Sequence, residues 1–177
     1  NMLGYMVERI SGRSLREYVK ETILIPLGME NTDWYYQPEA LARFVKPYIA
    51  VEGKLNPGST MYAEAAVSAE QTYCEGAIGL NGPIEDYAKF CQMLLNKGEF
   101  NGHRILKPET IEIMTSINRL PEINSGGKGF QFGLGFELYN ELKKQSRNVQ
   151  VIKIQAMDNG HIMLLTRNKD VFEAYVN

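Results

Sequence analysis

The chain has 177 residues, 44% apolar and 23% charged, with a formal net charge of −2. That size and balance suit one domain with a sizeable core, and the lack of a long single-sign charge run argues against a nucleic-acid surface or a polybasic membrane patch. No apolar run approaches the roughly 20 residues needed to span a bilayer, and two cysteines make no disulfide framework, though a Cys74–Cys91 bridge stays open.

The chain opens on Asn1-Met2-Leu3-Gly4, already inside an apolar periodic segment. It therefore reads as part of a longer protein, with any targeting signal upstream. Residues 2 to 11 are predicted to form a helix with Leu3, Met6, Val7 and Ile10 on one face and Gly12 as its stop. Ser14-Leu-Arg-Glu17 is a capping-box pattern. It starts a second predicted helix through Ile23, with Leu15, Tyr18, Val19 and Ile23 inward, ended by Pro26 and Gly28.

Residues 30 to 75 are the least regular. Trp34-Tyr-Tyr36 suits a short strand, Pro38 to Phe44 one or two helical turns, and Asn56-Pro-Gly58 a turn. A loop-rich stretch of this length in a compact domain is often functional.

Next comes the most informative stretch, Gly76-Ala-Ile-Gly79-Leu-Asn-Gly82-Pro83, which runs straight into an amphipathic helix. Three glycines at every third position suit a backbone that bends sharply or packs against another backbone. Gly82 fits an N-cap and Pro83 the first helical position. Glu85 and Asp86 complement the helix dipole. Ile84, Tyr87, Ala88, Cys91, Leu94 and Leu95 form one apolar face, and Gly98 takes the C′ role.

Pro108 to Ser116 is predicted to be a short helix and Asn124-Ser-Gly-Gly-Lys128 a turn. Phe130 to Tyr139, Val149 to Ala156, His161 to Thr166 and Val171 to Val176 read as strands. Helices lead and strands follow, so the predicted class is α+β with an antiparallel sheet at the end.

The glycine segment and the helix after it, with Glu85-Asp-Tyr87, Phe90 and Met93-Leu-Leu-Asn96, resemble the penicillin-recognising serine hydrolases: class C β-lactamases, related esterases and D-amino-acid peptidases. Three further segments fit in the same order. They are Leu3 to Gly12 continuing to Pro26-Leu-Gly-Met29, Asn101 to Thr115, and Phe132-Gly-Leu-Gly-Phe136. Each block alone is weak; four in order, over roughly residues 3 to 140, are specific.

The resemblance implies a serine β-lactamase-like fold, of which residues 1–177 form an incomplete C-terminal part: a helical region plus the late strands of an antiparallel sheet. It implies acyl-enzyme chemistry on an amide, ester or β-lactam, with a small-molecule or peptide-like acyl substrate of the full-length protein. It implies no cofactor and no metal, and a periplasmic or extracellular location. It also implies that the region around residues 30 to 75 helps to frame the substrate cleft. A serine hydroxyl needs a neighbouring base, and the developing oxyanion needs fixed donors. The family's Ser-x-x-Lys and Tyr-x-Asn motifs are expected upstream of Asn1, so the chain lacks its own nucleophile. A missing N-terminal segment is expected to pack on it, leaving Leu3, Met6, Val7 and one face of Phe130 to Tyr139 exposed. The alternative is a non-catalytic binding or scaffold module of the same fold.

Local matches to the motifs are weighed against plainer readings. Asn1 lies only three residues before Gly4, too close for the motif asparagine. Ser125-Gly-Gly-Lys128 has the spacing of Ser-x-x-Lys, but its paired glycines disfavour the helix that would set the lysine under the serine. Tyr175-Val-Asn177 matches Tyr-x-Asn at the end of a strand, and about one such match is expected by chance. His103 follows Asn101-Gly102 in a turn and reads as solvent-facing rather than catalytic. Gly160-His161 resembles the glycine–histidine form of the third motif, which makes His161 a weak catalytic candidate. The following Ile162-Met163-Leu164 suits a buried strand instead. Asp33, Glu75 and Asp86 are spread along the chain and offer no acid/base pair, and no Cys/His spacing fits zinc.

The pattern fades after Tyr139. Codons for Leu165-Thr-Arg-Asn168, read from the third base of the leucine codon, can spell Asp-Pro-Glu, and the Met157-Asp158 junction in that frame gives glycine. The tail is therefore read either as ordinary divergence or as translated out of frame.

Overall fold

A computed structural model describes residues 1–68, 73–116, 119, 131–138, 151–155, 161–166 and 174–176. They fall into two compact units, residues 1–88 and 89–177.

In the first unit, helix α1 (Met2–Ser11) ends at Gly12, which takes the left-handed conformation at φ 70° and returns its N–H to Glu8 O. Helix α2 (Leu15–Val19) starts on the predicted capping box: Ser14 Oγ accepts from Glu17 N, and the Glu17 carboxylate accepts from Ser14 N. The Glu8 carboxylate of α1 adds a bond from Leu15 N at 2.8 Å, placing negative charge at the positive end of α2.

The predicted second helix does not stay α-helical to Ile23. Over Lys20–Leu24 it widens into a π-turn, with Ile25 N bonded to Lys20 O at 2.9 Å. Two local causes are visible. The Thr22 hydroxyl takes up Tyr18 O at 2.6 Å, and Pro26 has no N–H to continue the α pattern. Leu24, Leu27 and Met29 then bury, and Gly28 turns the chain at φ 67°.

The described residues between 30 and 75 hold more regular structure than their composition suggests. Trp34-Tyr-Tyr36 is not a strand; Asp33 alone makes an isolated antiparallel bridge to Asn81. Pro38–Arg43 is a 3₁₀ helix. Strands β1 (Tyr48–Val51) and β2 (Lys54–Pro57) then form a hairpin, with Tyr48 opposite Pro57 and Val51 opposite Lys54. The chain reverses at Glu52 and Gly53, both at positive φ, and not at Asn56-Pro-Gly58. Pro57 is tolerated because it ends a strand of a two-stranded ribbon. Helix α3 spans Met61–Ala66. The core of this unit gathers Leu15, Trp34 and Cys74, with Val7, Val19 and Tyr35 packed on them.

Helix α4 (Ile84–Leu95) runs across the boundary between the units. Of its predicted face, Cys91 and Leu94 are buried and Tyr87, Ala88 and Leu95 half-buried, but the edge at Ile84 is not covered. Asp86, Cys91, Met93 and Leu94 are buried while Ile84 is 60% exposed, so the buried arc is rotated and includes a carboxylate. The helix ends in a Schellman arrangement. Lys97 holds the left-handed position at φ 58°, and Gly98 N reaches Met93 O at 2.9 Å. Gly98 is therefore C″, and a lysine occupies C′.

In the second unit, β3 (Glu99–Phe100) and β4 (His103–Arg104) form a hairpin. It turns on Asn101 and Gly102, both at positive φ, the type I′ preference. Helix α5 (Pro108–Ser116) buries Ile111. Strands β5 (Gln131–Phe132), β6 (Glu137–Leu138), β7 (Val151–Gln155), β8 (His161–Thr166) and β9 (Ala174–Val176) form an antiparallel meander in chain order. His161 to Thr166 appears as predicted, Phe130 to Tyr139 divides into the two strands β5 and β6, and β7 and β9 lie within the other two predicted strands. Phe136 is buried and Leu134 is 50% exposed at the β5–β6 turn. The predicted turn at residues 124–128 lies outside the described residues. The class is α+β, as the order of patterns predicts.

Candidate functional site

The glycine turn of residues 75–82 is held on two sides, and each glycine answers a different neighbour. A Cβ on Gly76 would lie 3.2 Å from the Gly4 Cα of α1. One on Gly79, at φ 92°, would lie 3.2 Å from the Trp34 ring, and one on Gly82 would stand 2.3 Å from Thr32 Oγ1. The period of three in the sequence therefore marks three separate close approaches.

Hydrogen bonds complete the clamp. The Trp34 indole N–H donates to Glu75 O at 3.0 Å and lies 3.3 Å from Ile78 O. Asp33 and Asn81 exchange both backbone bonds, at 2.9 and 3.0 Å. The Asn81 side chain donates to Gly79 O at 2.7 Å. Tyr36 Oη accepts from Asp33 N at 3.0 Å and bonds to Asn81 O; burial pushes its pKa up. On the α1 side, Asn1 Oδ1 accepts from Ala77 N at 3.1 Å.

Two carboxylates fasten the Asn31–Tyr36 segment that carries Trp34. Asp33 receives a two-pronged bond from Arg16, at 2.7 and 2.8 Å, with Lys20 at 3.4 Å. Burial opposes its ionisation. The Arg16 bonds, the Trp34 N–H and the nearby cations outweigh that cost and hold its carboxyl below the ordinary range. The Arg16 guanidinium also lies 5.4 Å from the centre of the Tyr35 ring. Asp86, only 2% exposed, accepts from Asn31 N at 2.9 Å and Thr32 Oγ1 at 3.1 Å. A buried carboxylate is tolerated when such donors replace water.

Beside the clamp, the Tyr35 hydroxyl is buried with no hydrogen-bond partner among the described residues. Burial first, and the adjacent Cys74 thiol second, push its pKa up to about 12. Burial also raises the Cys74 thiol and takes Cys91 up to about 12. Both cysteines are buried and neither is in a disulfide. Thiols so placed are poor nucleophiles.

The other residues singled out from the sequence scatter. Asn1 belongs to the clamp, also reaching the Glu75 carboxylate at 3.4 Å. His103 is exposed in β4. His161 begins β8 with its backbone opposite Val176; its side chain lies outside the described residues, as do Ser125, Lys128 and Asn177. Asp33, Glu75 and Asp86, far apart in sequence, all fasten parts of the clamp, each through its own partners. Among the described residues no group of three or more His, Cys, Asp or Glu side chains could hold a metal, and no helix is long and apolar enough to cross a membrane.

Sequence reasoning missed Arg16, Asp33, Trp34 and Tyr36 as a working set. The available signal was the single tryptophan of the chain beside an aspartate in an otherwise irregular stretch. What the set holds is backbone: a turn whose outer edge, Gly76, Ala77, Ile78 and Leu80, is exposed.

The family model described as beta-lactamase matches residues 1–149, and the chain belongs to that family of β-lactamase- and penicillin-binding-protein-like serine hydrolases. The match runs ten residues beyond Tyr139, where the motif pattern fades. An uncharacterised protein of Mycobacterium tuberculosis strain CDC 1551 is 29% identical over 144 residues, covering 78% of this chain and 35% of that protein. A protein of Escherichia coli K12, named provisionally as a D-alanyl-D-alanine carboxypeptidase, is 26% identical over 155 residues, covering 77% of this chain and 32% of that one. Among solved structures, a mutant of simvastatin synthase from Aspergillus terreus superposes with a TM-score of 0.73 at 24% identity, over 93% of this chain and 44% of that one. That likeness shows the fold. The chain spans about a third of the length of the curated relatives it matches.

Proposed function

We propose that this chain is the C-terminal part of a serine hydrolase or acyltransferase domain that works through an acyl-enzyme on an amide, ester or β-lactam. Its nucleophile and base are carried on a segment outside residues 1–177. The observation that carries this reading is the clamped glycine turn. Helix α1, the Asn31–Tyr36 segment and the start of α4 fix one backbone edge in place, which is the kind of preorganised wall an acyl-transfer site needs. The family match over residues 1–149 supports this reaction class. The substrate belongs to the carbonyl-acyl class handled by such enzymes, and the expected location is periplasmic or extracellular.

The test has two arms. The purified chain is incubated with a fluorescent penicillin and with a chromogenic short-chain ester; no label survives denaturation and no hydrolysis exceeds buffer. Covalent labelling would show that the nucleophile lies within these residues. In the second arm this chain replaces the span it matches in simvastatin synthase, and ester hydrolysis above buffer is expected. A folded but inert chimera would favour a binding or scaffold module.

A further inference from the structure

The hairpin of β1 and β2 is exposed along its whole length. Every residue of both strands faces solvent, the apolar Tyr48, Ile49, Val51 and Leu55 among them. A two-stranded ribbon is marginal in water, and further strands or a packed neighbour are what stabilise one. The two outer edges of this ribbon differ. Gly58 N donates to Pro47 O at 2.8 Å. Antiparallel pairing alternates, so Pro47, Ile49 and Val51 direct their backbone groups to β2. Tyr48 and Ala50 then present theirs outward, each with an N–H and a C=O. On β2 the outward positions are Leu55 and Pro57, and Pro57 has no N–H to offer. Proline thus blunts the β2 edge, as it does on many natural sheets. Pro47 does not blunt the other edge, because the N–H it lacks would face Gly58. The β1 edge is an open template for a strand. Its segment Lys46-Pro-Tyr-Ile-Ala-Val-Glu52 carries a cation at one end, an anion at the other and no charge between, so it is complementary to a reversed copy of itself.

We infer that the β1 edge pairs antiparallel with the same edge of a second copy of this chain, with Ile49 facing Ile49 on the two-fold axis. Hydrogen-bond geometry and charge select this register together. It sets Tyr48 opposite Ala50 of the second copy, so the outward N–H and C=O of both are used. It also sets Lys46 opposite Glu52 at each end, where opposite charges across strands attract. Sliding by one residue turns inward-facing groups against outward-facing ones. Sliding by two separates Lys46 from Glu52. The contact is isologous and joins the two ribbons into one sheet, one face of which carries Tyr48, Ala50, Leu55 and Pro57 of both copies.

The mass of the purified chain is followed by sedimentation velocity through the micromolar range, with far-UV circular dichroism as the check on folding. A monomer–dimer equilibrium is expected. Ala50→Pro removes an outward N–H, leaves the β2 ladder whole, and should abolish the dimer. Lys46→Glu and Glu52→Lys should each weaken it about tenfold or more, since each places like charges opposite one another at both ends. Mixed together, the two charge variants should pair again, because each end then holds opposite charges. Ile49→Cys should cross-link the copies on oxidation, since the facing Cα atoms of such a pair lie about 4.5 Å apart; the native Cys74 and Cys91 are buried. A wild-type chain that stays monomeric overturns the inference and leaves the edge to a strand of another protein. A dimer that survives Ala50→Pro is held by a different surface, and charge variants that do not recover on mixing refute the register; either result overturns the inference. Should Ala50→Pro fail to fold, the mixed charge variants decide.

Discussion

Gly4 of α1 and Gly76 of the glycine turn lie backbone against backbone: a Cβ on either would come within 3.3 Å of the other's Cα. An alanine at either position would need the facing backbone to give way by a few tenths of an ångström. Gly4→Ala would in addition press on Leu15 Cδ2 at 2.9 Å, and Leu15 is itself buried. Each single alanine should cost about 1–3 kcal/mol through overpacking. The double variant should cost less than the sum, because the first alanine has already forced the backbones apart. Urea unfolding followed by the fluorescence of Trp34, the sole tryptophan, measures this; single variants within a few tenths of wild type would contradict it.

Trp34 also reports on Asp33, whose carboxyl is held below the ordinary range by Arg16 despite burial. A depressed folded-state pKa contributes stability that is full above the unfolded value, about 3.9. That stability is lost as pH falls through the lower folded value. The urea midpoint should therefore fall in acid below about pH 4. Asp33→Asn should be less stable at neutral pH by about 1–2 kcal/mol, since Arg16 is partly exposed, and should show a flatter acid limb. Equal acid slopes in the two proteins would remove Asp33 from the clamp.

The end of α4 gives a pair of opposite predictions. A Cβ on Gly98, at φ 93°, would stand 2.1 Å from Leu106 O. Gly98→Ala should cost about 3 kcal/mol or more from clash and left-handed strain combined. Lys97 already bears that strain at φ 58°, so Lys97→Gly should stabilise by about 0.5–1 kcal/mol. Thermal melts followed by far-UV circular dichroism decide both signs.

Within α4 itself, Leu94 is 2% exposed and Ile84 60%. Leu94→Ala should cost about 2–5 kcal/mol, and Ile84→Ala should stay within about 0.5 kcal/mol. Similar losses at both positions, measured by chemical denaturation, would show that the buried arc includes Ile84.

Local chemistry was legible in the sequence. The Ser14–Glu17 capping box, the stop at Gly12, the span of α5 and the Asn101-Gly102 reversal each depend on residues within a few positions of one another, and all appear in the structure. The family was legible too, because its glycine segment and the blocks around it keep their order along the chain. Tertiary contact decided which way the helices face. Periodicity defines an apolar stripe but not what stands opposite it. Gly4 turned inward because Gly76 needed room there, and Asp86 turned inward because Asn31 and Thr32 offered donors that replace water. The same holds for the turn itself. Three glycines in a row of threes state that something comes close; only the folded chain shows that the three neighbours are Gly4, Trp34 and Thr32. Two of these come from a stretch whose sequence carries no periodic signal, because its order derives from long-range hydrogen bonds and not from any repeat of its own.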